Sequence, residues 1–270
     1  MGTFTTEIAS DKIASDNPIH QRLLKAYHVA EPYINGDVLE PGCGEGRGIE
    51  LLSPRADQYV ALDKIETVID QLKNKYTNVD FRHMLFPPFE GIESHAFDVV
   101  ISFQVIEHVK NDRLFLHEIH RVLKPGGIAI ITTPNIKQSL ARNPWHIREY
   151  TAQQLKELAL TIFDDVDMKG IAGNDKVMHY HEKNRLSVRK FTRFDILNLQ
   201  YKLPATLLRI PYEFLNRINR NMLQKQNDQL VTDITHDDYF LRDEDDDNLD
   251  LFCIMRKEFC ILICLLYNFA

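Results

Sequence analysis

The sequence is poor in cysteine. It has only four, Cys43, Cys253, Cys260 and Cys264, and none of them forms a Cys-x-x-Cys pair or lies near a histidine at zinc-ligand spacing. A structural metal centre is therefore not expected, and we predict that the protein binds no metal.

The sequence also lacks long apolar runs at its two ends. Residues 3–16 are polar and contain no apolar segment of the kind found in secretory signals. The apolar stretch 259–270 has 12 residues, whereas a membrane-crossing helix needs about 20. We interpret this stretch as an edge strand or a packed terminal segment, and we expect a cytoplasmic protein.

Positive charge is not in excess overall. The net charge is −7 and the isoelectric point is about 5.9, so there is no global reason to expect nucleic-acid binding. The charges are unevenly placed, because residues 183–225 hold ten Lys or Arg against two acids, and residues 228–250 hold ten acids against one base. Two interpretations stay open. The two stretches are either solvated faces that partly neutralise each other or a basic surface for an anionic substrate or membrane, and membrane contact is the less favoured.

Apolar residues alternate between two spacings along the first part of the chain. Period-two or continuous apolar runs predict strands, and three-to-four-residue spacing predicts helices. The predicted strands are 37–40, 58–63, 79–83, 97–103, 128–132, 166–171 and 248–257. The predicted helices are 17–34 with Asp16 or Asn17 as cap, 47–52, 65–76, 113–123 and 151–160 with Thr151 as cap. This alternation is typical of a parallel sheet with helices on both faces.

The alternation stops after residue 172. Residues 173–247 are predicted to form a helical insertion that is broken by Pro204 and Pro211. We therefore divide the chain into a core (1–172), an insertion that covers the substrate side (173–247), and the last strand with the apolar tail (248–270).

A glycine-rich turn follows the first predicted strand. Gly42, Gly44 and Gly46 allow a sharp backbone bend and leave room for a ligand, and the helix that follows offers free backbone amides. Dehydrogenases that bind nicotinamide dinucleotides use a similar turn, but here Arg47 stands where their third glycine is needed. Glu40 before the turn favours a cationic ligand over a pyrophosphate. Asp63 ends the second strand, where a carboxylate can accept hydrogen bonds from ribose hydroxyls.

Three segments together resemble the class I S-adenosylmethionine-dependent methyltransferases, with the ubiquinone/menaquinone-type and small-molecule enzymes as the most similar group. They are 38–46 (VLEPGCGEG), 97–109 (FDVVISFQVIEHV) and 121–127 (RVLKPGG). The resemblance covers about residues 35–135. It implies a Rossmann-like α/β fold with a seven-stranded, mostly parallel sheet, an antiparallel last strand and helices on both faces, and it implies S-adenosyl-L-methionine as cofactor.

The resemblance also implies roles for individual residues. Glu40 and the glycines Gly42, Gly44 and Gly46 would hold the methionine end, Asp63 the ribose, and Met84 and Leu85 would flank the adenine. Phe103, Gln104 and His108 would line the methionine and the transferred methyl group, with core packing and a polar helix start as alternatives. Many relatives have an acid on the adenine side, whereas this sequence has His83, Met84 and Leu85 there.

The loop 132–150 is the predicted acceptor site. It follows the fifth strand and holds the single Trp of the sequence, Trp145, beside His146 and Glu149. In the fold expected here, substrates bind at the carboxyl ends of the strands, so His146 is a candidate general base with Glu149 as its partner. A purely structural loop is the alternative. His179 and His181 would share one face of a strand and are a weak candidate pair of metal ligands, because the sequence shows no third ligand.

The sequence thus predicts a methyltransferase that acts on a small molecule, a glycan or a lipid-linked precursor, at oxygen. A protein of the same fold that binds S-adenosylmethionine without catalysis is the main alternative, and a nicotinamide-dependent oxidoreductase is a weaker one.

Overall fold

A single mixed sheet organises the chain. The computed structural model describes residues 12–195 and 197–258, and eight strands are found within them. The strands are β1 (Asp37–Pro41), β2 (Gln58–Asp63), β3 (Asp80–His83), β4 (Phe97–Phe103), β5 (Leu123–Pro134), β6 (Asp165–Gly173), β7 (Tyr239–Asp243) and β8 (Asp250–Arg256). Their spatial order is β3-β2-β1-β4-β5-β8-β6-β7.

Helices connect the strands and cover the sheet. They are α1 (Asn17–Ala30), α2 (Ile49–Leu52), α3 (Glu66–Lys75), α4 (Asp112–Val122), α5 (Ala152–Leu160), α6 (Asp175–Thr192), α7 (Leu199–Lys202), α8 (Ala205–Gln226) and α9 (Asp228–Thr232). Two groups of buried apolar side chains lie on the two faces of the sheet. Within β4, Val99 and Ile101 belong to one group and Val100 to the other, because successive side chains of a strand point to opposite faces. The apolar run of β4 therefore reflects burial on both sides, as predicted.

The strand directions confirm the predicted fold class. Strands β3, β2, β1, β4 and β5 pair in parallel, and β8 runs antiparallel between β5 and β6. The described sheet has one strand more than predicted, because β7 pairs antiparallel with the free edge of β6. This strand has five residues, of which only Tyr239 is buried, so its sequence carries little of the alternation that would reveal a strand.

Two helix starts behave differently from each other. Thr151 caps α5 as predicted, since its side chain accepts a hydrogen bond from the Gln154 backbone N–H in a capping box. Asp16 does not cap α1. Its buried carboxylate instead accepts hydrogen bonds from Arg217 (2.8 Å) and Arg220 (3.0 Å). Helix α1 also ends earlier than predicted, at Ala30, and a short 3₁₀ turn follows it.

The insertion consists of α6 to α9 together with β7. Pro204 precedes α8, but Pro211 lies inside this 22-residue helix, so the prediction that Pro211 breaks the helix was wrong. Proline removes one backbone hydrogen bond, and here a long helix with one face packed against its neighbours tolerates that loss. Buried insertion residues, among them Val177, Tyr180 and Leu223, belong to the same apolar group as α1 and the sheet. The insertion therefore shares the core of the rest of the chain.

No helix among the described residues is long and apolar enough to cross a membrane. The predicted apolar tail, 259–270, lies outside the described residues.

Candidate active site

The glycine-rich turn leaves β1 with its glycines in the left-handed region. The φ angles are 85° at Gly42, 50° at Gly44 and 76° at Gly46, which glycine adopts at little cost. A Cβ atom at Gly42 would lie 2.3 Å from Val105, whereas a Cβ atom at Gly44 would meet nothing within 4 Å. Gly44 therefore borders open space, as a turn that receives a ligand requires.

Glu40 lies buried beneath this turn. Its two carboxylate oxygens accept hydrogen bonds from the hydroxyls of Tyr27 (2.9 Å) and Tyr59 (2.8 Å). Burial raises the pKa of Glu40 to about 7, although these two hydrogen bonds act in the opposite direction. The two tyrosines are not among the predicted site residues, and they stand 13 and 19 positions from Glu40 in the sequence.

Asp63 joins two turns at the end of β2. One carboxylate oxygen accepts a hydrogen bond from the Gly44 N–H and the other from the Ile65 N–H, both at 2.9 Å. The side chain thus fixes the glycine-rich turn relative to β2, at the position where a ribose is expected.

The two residues expected beside the adenine follow β3. The Met84 N–H donates to the Asp63 carbonyl at 2.9 Å, and the Met84 side chain packs against the buried apolar group on one face of the sheet. Leu85 is 75% exposed. Leu85 directly follows Met84, which is hydrogen-bonded to Asp63, so its exposed apolar side chain is available to cover a flat ligand. That contact stays a prediction.

The residues after β4 reach the same edge of the sheet. Phe103 is buried and its ring packs edge-on against Tyr27 at 4.8 Å, so its core-packing role is observed. Gln104 has a φ of 58°, which is uncommon for a residue with a side chain and concentrates at functional sites. His108 contacts the Trp145 carbonyl through Nδ1 at 3.0 Å, which joins this segment to the loop 132–150.

His146 and Glu149 form a closely paired dyad in that loop. His146 Nδ1 lies 2.6 Å from a Glu149 oxygen, and its Nε2 lies 2.8 Å from the Asn143 amide nitrogen. Burial raises the pKa of Glu149, but the hydrogen bonds from His146 and Ser139 outweigh it and bring the pKa below its usual value. With Glu149 ionised, Nδ1 carries the proton and Nε2 accepts from Asn143.

Glu107 is a further acid beside His108 and His146, and it is not among the predicted site residues. It is buried, accepts a hydrogen bond from the Thr133 hydroxyl at 2.9 Å, and burial raises its pKa to about 7. Oxygen and nitrogen atoms of Glu107, His108 and His146 lie within 4.8 Å of one another. Both ring nitrogens of His146 already have partners, so a metal ion would have to displace one of them. The expectation of no bound metal stays a prediction.

The two histidines considered as metal ligands lie on α6 and not on a strand. Residues two apart on a helix point in different directions, so the premise of a shared strand face was wrong for His179 and His181. Only His181 lines the cavity described next.

A cavity of about 650 Å³ lies between the strand ends and the insertion. The core contributes Gln104, Glu107, His108, His146 and Glu149 to its wall. Helices α1, α6 and α8 supply the opposite wall, including Arg22, Tyr180 and Tyr212. The predicted acceptor residues and the residues after β4 therefore meet in one space.

Comparison with known proteins shows which part of the chain has relatives. Residues 39–131 match the family model of a methyltransferase domain. The chain is 40% identical over 141 residues to a probable S-adenosylmethionine-dependent methyltransferase of Mycolicibacterium smegmatis. This aligned segment covers 50% of this chain and 54% of the relative. It is 29% identical over 108 residues to a ubiquinone biosynthesis O-methyltransferase of Bartonella tribocorum, and that aligned segment covers 38% of this chain and 43% of the relative.

Residues 39–131 are thus similar to a methyltransferase domain. Relatives from Mycolicibacterium smegmatis and Mycobacterium tuberculosis are named as probable S-adenosylmethionine-dependent methyltransferases. A solved methyltransferase of Thermotoga maritima, described as a possible histamine N-methyltransferase, matches with a TM-score of 0.56 at 12% identity and covers 91% of both chains, which shows that the fold is shared. The chain spans about half the length of the curated relatives that it matches.

Proposed function

We propose that the protein transfers a methyl group from S-adenosylmethionine to an oxygen of a small-molecule, glycan or lipid-linked acceptor. The observation that carries the proposal is the meeting of two groups of residues in one cavity. Gln104 and His108 reach it from the strand end next to the glycine-rich turn, and the His146–Glu149 dyad reaches it from the loop after β5. Cofactor and acceptor would thus be adjacent.

The glycine-rich turn and its neighbours fit the proposed cofactor. The open space at Gly44 would admit the methionine end, and Glu40 beneath the turn would favour its positive charge. Asp63 would bind the ribose, because each of its oxygens keeps a lone pair beyond the backbone hydrogen bond that it accepts. Met84 and Leu85 would flank the adenine.

The His146–Glu149 dyad would act as the general base. S-adenosylmethionine, when bound, supplies an activated methyl group, so the protein has to align the acceptor and remove its proton. In the described arrangement Nε2 of His146 is unprotonated and accepts from Asn143. An acceptor hydroxyl that replaces this amide would give its proton to Nε2, and Glu149 would stabilise the positive charge on the imidazole. General-base assistance of this kind is worth roughly 10²–10⁴-fold in rate.

The alternative of a binding module without catalysis is less well supported. A structural loop needs no half-buried histidine whose two ring nitrogens are held in opposite hydrogen-bonding roles. His146 also lines the cavity, where a base is required.

The test measures S-adenosylhomocysteine production with a panel of phenols, sugars and lipid-linked glycans, for the unaltered protein and for His146→Ala. Turnover should fall roughly 10²-fold or more, while calorimetric affinity for S-adenosylhomocysteine stays within about twofold. His117→Ala is a matched control, since His117 is exposed on α4. Equal losses of cofactor affinity and thermal stability in His146→Ala would show that the dyad is structural. Absence of turnover across the panel together with tight cofactor binding would favour the binding module.

A further inference from the structure

Arg22 is a cation on the cavity wall that the proposed chemistry does not use. It lies on α1 with its Nε 3.0 Å from an Asp250 oxygen, and the Asp250 side chain is only 3% exposed. The alignment of this ion pair is poor, because neither Arg22 Nε nor the other Asp250 oxygen has a hydrogen-bond partner in the described part of the chain. Arg22 therefore keeps donors for a ligand in the cavity.

Three further polar side chains line the same cavity without protein partners. They are Tyr180 and His181 on α6 and Tyr212 on α8, and within 12–195 and 197–258 their polar atoms form no hydrogen bond. Polar groups at a cavity wall that have no protein partner are satisfied by a ligand or by water. Burial and the neighbouring charges of Arg22 and Arg185 lower the pKa of His181 to about 4, so the ring is neutral near pH 7 and keeps one N–H to donate.

The hydrogen-bond donors of this wall favour an anion. Two other arginines line the cavity and both have partners, since Arg220 pairs with Asp16 and Arg142 donates to the carbonyls of Gln200 and Leu203. Asp250 pairs with Arg22, and the carboxyl groups of Glu107 and Glu149 lie on the core side of the cavity. The groups that the insertion adds are neutral hydroxyls and an imidazole, which can donate hydrogen bonds. A guanidinium suits the paired oxygens of a carboxylate or phosphate.

The donors other than Arg22 belong to the insertion and not to residues 39–131, which match the methyltransferase domain. This placement points to the acceptor as the source of the anion, and away from the amino-acid carboxylate of the cofactor. Apolar side chains of the insertion also line the cavity, among them Leu203, Leu208 and Leu215. The remainder of the acceptor would therefore be apolar.

We infer that the acceptor is an amphipathic anion whose carboxylate or phosphate binds Arg22, with Tyr180 and His181 as additional donors. The identification of this anion as the methyl acceptor rests on the proposed function, but anion binding at the site does not require turnover. It narrows the acceptor from small molecules in general to those with an anionic group and an apolar part.

The test uses the full chain saturated with S-adenosylhomocysteine and three probes, namely phenyl phosphate, benzoate and the neutral benzyl alcohol, with binding measured by calorimetry. At least one anion should bind at least tenfold more tightly than benzyl alcohol. Arg22→Gln should weaken that anion at least tenfold and Arg22→Lys less, because lysine keeps the charge. Arg113→Gln, at an exposed position on α4, is the matched control and should change nothing.

Tyr180→Phe keeps the test decisive if Arg22→Gln fails to fold, because the Tyr180 hydroxyl has no partner whose loss would destabilise the described chain. It should lower the affinity for the anion severalfold with an unchanged melting temperature.

Equal binding of the neutral probe, or an unchanged anion affinity in Tyr180→Phe and Arg22→Lys alike, would overturn the inference. A parallel loss of S-adenosylhomocysteine affinity in the Arg22 variants would assign Arg22 to the cofactor carboxylate instead. Anion binding without any methyl transfer would contradict the proposed function and leave this site standing.

Discussion

Cofactor affinity should depend on pH through Glu40. The carboxyl group lies beneath the glycine-rich turn, and burial raises its pKa to about 7. If Glu40 holds the positively charged methionine end, only its ionised form attracts the ligand. Affinity should therefore increase as the pH rises towards 7.

The size of the effect follows from the fraction of Glu40 that is ionised. With a pKa of about 7, this fraction is about 3% at pH 5.5 and about 50% at pH 7. The dissociation constant of S-adenosylhomocysteine should thus fall roughly 15-fold over this range, which corresponds to about 1.6 kcal/mol. An ordinary glutamate, with a pKa near 4.3, would be almost fully ionised throughout and would give little change.

Calorimetric titrations at half-unit steps from pH 5.5 to 7 provide the measurement. The unaltered protein should show the pH dependence, and Glu40→Gln should bind more weakly at pH 7 with a nearly flat profile. Glu157→Gln, an exposed position on α5, serves as control and should keep the slope. The reasoning would be refuted by a flat profile in the unaltered protein or by the same slope in Glu40→Gln, since Glu40 would then only organise Tyr27 and Tyr59.

Three other predictions concern stability and the ribose site. Asp63→Ala should weaken S-adenosylmethionine and S-adenosylhomocysteine at least roughly tenfold by calorimetry, because hydrogen bonds to a carboxylate are worth about 1.5–3 kcal/mol; unchanged affinity would remove Asp63 from the site. Asp16→Ala leaves Arg217 and Arg220 without their anion and should lower the free energy of unfolding by about 3 kcal/mol in urea titrations, whereas a loss under about 0.5 kcal/mol would contradict a stabilising role. The raised pKa of Glu40 means that the folded state binds its proton more tightly than the unfolded state, so its contribution to stability is present below about pH 4.5 and decreases by about 3 kcal/mol as the pH rises past 7. Parallel stability profiles of the unaltered protein and Glu40→Gln would contradict this last prediction.

The parts of the site that depend on local backbone geometry could be predicted from the sequence. Glycines at 42, 44 and 46 and an acid at the end of β2 are demanded by the turn itself, and the structure places Asp63 against Gly44. The partners of Glu40 could not be predicted, because Tyr27 and Tyr59 reach it from α1 and β2 only after the sheet has formed. Arg22 was missed for the same reason, since nothing in the sequence around α1 shows that it faces the insertion.

The fold shows a similar division. The parallel strands and their order of appearance follow from strong apolar runs, whereas β7 is a weak pattern that becomes a strand because the edge of β6 is available. Pro211 illustrates the converse, since a local rule against proline in helices was outweighed by the packing of α8.

The contacts at the start of α1 have a consequence for how the insertion can vary between homologous proteins. Asp16 binds two arginines of α8, Asn17 donates to the carbonyls of Val231 and Ile234 at 2.7 and 2.9 Å, and Tyr239 donates to the Pro18 carbonyl at 2.7 Å. Residues 16–18 and the insertion would thus have to be exchanged together, although the residues in contact stand 201 to 221 positions apart in the sequence. A chimera that receives a relative's insertion should fold well only when it also receives the matching residues at the start of α1, and substitutions at the two places are expected to be inherited together.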